Sequence, residues 1–444
     1  MSTHLLRPPI NRTVLYLRSI ALLFLLCSFG AAANAASDQE GPATRALRHL
    51  VETNPDIQHL LTRSIEQAKR TNPDPRTNPA QTLEQYYQFV AFVEHAIPGS
   101  LLEPKQNAKL YQRMDQSLAY FFFICDQPLN ELEGRGYFRN SLQYVEPYNA
   151  WLKAFVRSWG TFLDTSASWS PEYLQLALAD ESFGLTKGWY EDPSAWQTFN
   201  QFFTRRLKSP DQRPVASRTD GAVVVSPVDG VLEGVWAIDG NSHVVEKTGV
   251  VIKSSTVKSV SDLIGVDSRY AHSFAGGTFT HLFLDVQDYH HYHFPLNGII
   301  RDIKIIPGQE ITGGYVGWDA VNKRYTFDPS AVGWQALETR GRVILETKEF
   351  GLVALLPIGM SPVSSVTFEP ALKEGVEVHK GDLMGYFRFG GSDFVLLFQH
   401  GHDLELDIRR SEAEQTFPHL LMGERLGHLQ RLTNGSLVRP SAFF

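Results

Sequence analysis

"EGVEVHKGDLMGYFRFGGSDFVLLFQH", residues 374–400, alternates short apolar runs with glycine-bearing polar breaks. Runs of Val, Leu, Tyr and Phe only a few residues long, punctuated in this way, read as antiparallel strands rather than as a helix. The break Gly390-Gly391-Ser392-Asp393 is short enough to be a hairpin loop. Gly-Gly-Ser is ordinary loop chemistry. Taken alone, the stretch leaves Ser392 as a turn residue.

The same texture runs upstream to about Ala222, in "AVVVSPVDGVLEGV", "GVVIKS", "FTHLFLDV", "RVILET" and "GLVALLPI". Before that point the spacing changes. From about Thr44 to Leu207, apolar residues recur at three- and four-residue intervals, as in "TLEQYYQFVAFVEHAI", "PYNAWLKAFVRSWGTFLD" and "PSAWQTFNQFFTRRLK". That period predicts amphipathic helices whose apolar stripes face a core. "SPDQRPV", residues 209–215, connects the two textures. The expected fold is α+β, with a helical N-terminal region (36–208) packed on a β-rich domain (209–444).

At 444 residues, with 43% apolar and 20% charged residues, the chain has room for two or three domains and an ordinary globular composition. Its first 35 residues read differently. Arg7, Arg12 and Arg18 precede an apolar stretch from Ile20 to Ala33, and Ala33-Asn34-Ala35 follows. This is the pattern of a secretory signal, which implies export to the periplasm or cell exterior. The apolar run is shorter than the roughly twenty residues that span a bilayer. Loss of these three arginines takes the net charge from −7 to −10. An acidic chain without a basic stripe does not suit nucleic acid. Cys27 leaves with the signal, and Cys125 alone cannot form an internal disulfide.

Two further motifs carry chemistry. In "VVVSPVDGVLEG", residues 223–234, Asp229 sits in a turn between two strand-like runs, and Asp-Gly is a common turn pair with no necessary function. In "DVQDYHHYHFPLNG", residues 285–298, three histidines fall in four positions. On a strand, His291 and His293 would share one face and His290 the other. His291 and His293 could open a zinc site with His400 and His402 of "QHGHD", the pattern of a zinc-dependent hydrolase.

"GVEVHKGDLMGYF" resembles the hairpins of lipoyl- and biotinyl-type β domains, which implies a β fold and is compatible with a non-processing binding module. Taken in order, Pro-Val-Asp-Gly, Tyr-His-x-x-His-x-Pro, and Lys-Gly-Asp followed by Phe-Gly-Gly-Ser resemble the phosphatidylserine decarboxylase family over roughly residues 195–400. "FFTRRLKSPDQRPV" is similar to that family's lead-in. The N-terminal "VRSWGTFLDTSASW" looks more like the soluble amino-acid branch, which includes tryptophan decarboxylases.

The resemblance implies a self-made cofactor. Removing the carboxyl of an α-amino acid leaves electrons on Cα, and no ordinary side chain accepts them, so an electrophilic carbonyl is required. In this family Ser392 would attack the carbonyl of Gly391, cleave the chain between 391 and 392, and leave a pyruvoyl group at residue 392. His293 would act as base and Asp229 would orient it. His290 would handle protons in the decarboxylation, and His291 receives no role. Asp393 departs from the family's usual Ser or Thr. Its carboxylate is expected to repel a developing oxyanion, to accept a proton, or to select a substrate amine. The substrate implied is phosphatidylserine, with a free aromatic amino acid as the alternative. A homodimer and peripheral membrane contact, for instance through "AYFFFI", complete the expectation. No metal is assigned.

Overall fold

The computed structural model describes residues 40–105, 108–245, 259–309, 312–329, 332–362, 365–413 and 415–432. The N-terminal signal-like segment and the expected strand "GVVIKS" lie outside them. Helices α1 (Pro42–Thr53), α2 (Pro55–Thr71), α3 (Leu83–Val93) and α4 (Leu110–Cys125) come first. Then follow α5 (Tyr148–Phe162), α6 (Pro171–Ala179) and the single turn α7 (Phe199–Phe203). Proline opens α1, α2 and α6, where its missing N–H costs nothing. Hydroxyls of Thr82, Ser170 and Thr198 cap α3, α6 and α7.

The stretch from Pro193 to Lys208 is not the one helix that its spacing predicts. A 3₁₀ turn at Pro193–Ala195 breaks off, and the Thr198 cap restarts the chain as α7. "AYFFFI" lies in α4 with every residue buried, so it is core and not a membrane-facing surface. Among the described residues, no helix is long and apolar enough to cross a membrane.

The strands begin with β1 (Val223–Val225), β2 (Gly230–Ile238), β3 (Val244–Val245) and β4 (Thr278–Leu284). Next are β5 (His291–His293), β6 (Gly298–Ile306), β7 (Tyr315–Asp319) and β8 (Arg324–Asp328), the last two forming a hairpin. Helix α8 (Val260–Ile264) falls between β3 and β4. The remainder are β9 (Thr339–Glu346), β10 (Leu352–Pro362), β11 (Thr367–Phe368), β12 (Glu377–Val378) and β13 (Leu383–Tyr386). Last come β14 (Gly390–Phe398), β15 (His402–Leu406), β16 (His419–Leu420) and β17 (Arg425–Arg431).

A nine-stranded sheet in the order β12-β6-β9-β10-β14-β4-β2-β16, with β3 on β2, forms the centre. Smaller sheets β1-β17-β15 and β11-β13-β5 flank it. The architecture is α+β with antiparallel pairing. β12 and β13 follow one another, but their ladder partners are β6 for one and β5 with β11 for the other.

Gly390–Asp393 is not a hairpin loop. These four residues begin β14, which is buried along its whole length and paired to β10 on one side and β4 on the other. Side chains alternate across this strand. Phe394, Leu396 and Phe398 enter one core, and Val395 and Leu397 enter the other. A third core fills the helical region and takes in Val286, Tyr289 and Phe389 from the β-rich part.

Candidate active site

Ser392 occupies the third position of the central strand. Its Cα registers with Gly359 of β10 and Leu284 of β4. The residue is fully buried, and its Oγ has no hydrogen-bond partner among the described residues. A buried hydroxyl left without a partner is costly, and functional sites are where such costs concentrate. The backbone just before it is irregular. The β10–β14 register slips between Gly359 and Pro362, opposite Gly390, and Gly390 has φ 153°, which side chains disfavour. A Cβ on Gly391 would sit 3.1 Å from the Sδ and Cε of Met360, so glycine lets the sheet close there.

The Lys-Gly-Asp motif positions the histidine motif. Gly381 N–H donates to the Phe294 carbonyl and Phe294 N–H to the Asp382 carbonyl, at 2.8 and 2.9 Å. His293 Nδ1 then lies 2.9 Å from the Gly381 carbonyl oxygen. A carbonyl can only accept, so Nδ1 carries the proton and Nε2 keeps its lone pair, 3.3 Å from the Tyr289 hydroxyl. Burial is the main reason that this imidazole is pushed down to about 4, which keeps it neutral near pH 7.

Asp229, immediately before β2, does not hydrogen-bond to His293, contrary to the expected direct contact. Arg213 claims its carboxylate, with Nη2 at 2.7 Å from Oδ2 and Nε at 3.1 Å from Oδ1. Met422 N–H donates to Oδ1 at 2.7 Å. Arg213 comes from the segment that reads as a connector; it is buried and stacks over Trp189 at 4.3 Å. A bidentate guanidinium is a stronger partner for a buried carboxylate than a neutral imidazole. Asp229 still acts on His293 through space, favouring its protonated form. No hydrogen bond joins Ser392 to His293 in this arrangement.

His290 packs face to face on Phe203 of α7, with centroids 3.8 Å apart. Neither ring nitrogen makes a hydrogen bond of good geometry among the described residues, and the Asp288 backbone is the polar group that weakly favours its charged form. Burial, reinforced by the charge of Arg205, holds its pKa well below the ordinary value. His291 donates from Nε2 to the Thr204 carbonyl at 3.0 Å. The four histidines of the zinc reading face separate partners: His400 meets the Gly276 carbonyl, and His402 packs on Phe350. Among the described residues, no group of three or more His, Cys, Asp or Glu side chains could hold a metal ion.

Asp393 projects to the opposite face from Ser392, as neighbours on a strand must. His281 Nδ1 lies 3.0 Å from its Oδ2, and Gln335 Nε2 donates to it at 3.4 Å. The carboxylate is thus held in a buried pair, away from the hydroxyl it was expected to oppose. The sequence reading did not single out Arg213, His281 or the groups of the adjoining cavity. That cavity, about 350 Å³, is lined by Gly391, Leu284, Asp285, Asp115, Phe122 and Arg324 among others.

A family model for phosphatidylserine decarboxylase matches residues 199–428, and a second of the same description matches residues 41–177. The phosphatidylserine decarboxylase proenzyme of Saccharophagus degradans is 28% identical over 307 residues, covering 65% of this chain and 96% of that protein. The phosphatidylserine decarboxylase proenzyme 2 of Oryza sativa is 31% identical over 266 residues, covering 59% of this chain and 38% of the relative. The chain therefore spans well under half of that longer protein. The decarboxylase iboD of Amanita muscaria is 28% identical over 277 residues, covering 56% of this chain and 77% of that protein.

Proposed function

We infer that this chain, which belongs to the phosphatidylserine decarboxylase family, is a self-processing, pyruvoyl-dependent carboxy-lyase that converts phosphatidylserine to phosphatidylethanolamine and carbon dioxide. The observation that carries this reading is the buried hydroxyl of Ser392 at the start of the central strand, which has no hydrogen-bond partner among the described residues. It directly follows two glycines, beside an irregular ladder and a cavity.

Processing uses this chain's own atoms. Ser392 Oγ adds to the Gly391 carbonyl, the peptide C–N bond breaks, and an ester joins the two residues. Loss of the Cα proton of residue 392 then expels the Gly391 carboxylate. Water replaces the nitrogen left on residue 392, which departs as ammonia, and a pyruvoyl group remains there. Nε2 of His293, unprotonated near pH 7, is the base for the hydroxyl once the side chains close the gap. The Gly381 carbonyl fixes its tautomer, and the Asp229–Arg213 pair supplies a fixed local field. The pyruvoyl carbonyl provides the electron sink that decarboxylation needs. His290, buried and neutral, exchanges the proton at the substrate carbon.

Phosphatidylserine vesicles assayed against free aromatic amino acids test the substrate by carbon dioxide release. Turnover of the free amino acids alone would contradict the phospholipid assignment. Export is proposed on residues 1–35, and a mature N-terminus at Ala36 is the expected sign.

A further inference from the structure

Two carboxyl groups, of Asp285 and Asp115, line the same cavity as Gly391. Asp285 follows Leu284, the residue whose Cα registers with Ser392. Asp115 arrives from α4, in the helical region. Asp115 of α4 and Asp288 of the same loop act on Asp285 by charge, Val286 N–H donates to its Oδ1 at 2.7 Å and Gln287 hydrogen-bonds to it, while Tyr111, Arg324 and Tyr325 line the same cavity. None of the expected site residues supplies this acidic pair. We propose that Asp285 takes the proton from the substrate's ammonium group next to residue 392, and that Asp115 is a positioning residue that tunes it. This rests on the self-processing reading, because it needs a carbonyl at residue 392.

The chemistry requires such a group. An amine attacks a carbonyl only through its lone pair, so the ammonium must first lose a proton. Burial, and then the charges of Asp115 and Asp288, push Asp285 up to about 7. A carboxylate with a raised pKa is a stronger base than an ordinary aspartate, which brings it closer to the substrate ammonium that it must deprotonate. The proton passes from nitrogen to the Asp285 carboxylate, and the freed lone pair adds to the carbonyl carbon. The same proton then returns to the oxygen that leaves as water. The ligand class is an α-amino acid headgroup that presents its ammonium to the pair, with Arg324 beside Asp115.

Ethanolamine serves as the probe, trapped on the processed protein by cyanoborohydride and read by intact mass between pH 6 and 9. The amine's own ionisation is common to all variants, so differences between them report the protein. Asp285→Asn should still split into two chains but form the adduct about a hundredfold more slowly. Asp115→Asn should keep the adduct and move the acid limb of the profile to lower pH, since removing a like charge lowers the pKa of Asp285. Carboxyl ¹³C NMR of the uncleaved Ser392→Ala protein, labelled at aspartate, should show one group titrating near pH 7. That signal should vanish on adding Asp285→Asn. Two chains with unchanged adduct formation in Asp285→Asn would overturn the role of Asp285, and an unmoved limb in Asp115→Asn that of Asp115, with the self-processing reading intact in both cases. An unsplit wild type would instead remove the reading on which it rests.

Discussion

Ser392 shows what a one-letter motif conveys and what it omits. The histidine, Lys-Gly-Asp and Gly-Gly-Ser motifs were legible as a set, and the Gly381 carbonyl does join the first to the second. The partner of Asp229 was not legible, because Pro-Val-Asp-Gly reads the same whether its carboxylate meets an imidazole or an arginine. Two predictions belong to single residues. His293 is held low by burial, so its base form is complete well above pH 5 and is lost as pH falls through about 4. Self-cleavage of freshly synthesised precursor, followed on denaturing gels, should therefore be flat from pH 8 to 6 and fail toward pH 4. A rate that halves near the ordinary histidine pKa would contradict this. Arg213→Met leaves Asp229 charged, buried and unpaired, and should cost roughly 3–5 kcal/mol in urea unfolding. The double variant Arg213→Met, Asp229→Leu should recover much of that loss, whereas purely additive effects would deny the pairing.

At the scale of elements, the helical and β-rich textures were readable from periodicity because each keeps its period over many residues. The errors fell where local chemistry and tertiary pairing disagree. Gly390–Asp393 has the composition of a turn, yet strands on both sides absorb it into the sheet. The Pro193–Lys208 stretch keeps helical spacing, yet the Thr198 cap divides it. Strand β13 offers a test of how tightly the His293 support is built. A Cβ on Gly385 would lie 2.0 Å from the Thr367 carbonyl oxygen and 2.7 Å from the Tyr292 ring. Gly385→Ala should force β11 and β5 away from β13, costing about 1–3 kcal/mol or more and slowing self-cleavage through displaced His293. Wild-type stability together with wild-type processing would show that the contact is not constraining.

Across the whole molecule, the helical region does more than cover a β-rich catalytic part. Phe389, three residues before Ser392, sits in the helical core against Trp159, Phe199 and Phe203. Phe203 in turn packs on His290. Contacts between α4 and the residue 285 loop are separated by well over a hundred residues, and no local pattern could announce them. A shared core predicts one cooperative unfolding transition, with near-ultraviolet circular dichroism and tryptophan fluorescence coinciding in urea; two separated transitions would contradict it. The most direct test of the account is the intact mass of purified protein beside that of Ser392→Ala. Wild type should give two chains, the smaller starting at residue 392 and blocked at its N-terminus by a pyruvoyl group, while the variant gives one. A wild-type chain that remains whole while it releases carbon dioxide from phosphatidylserine would contradict it.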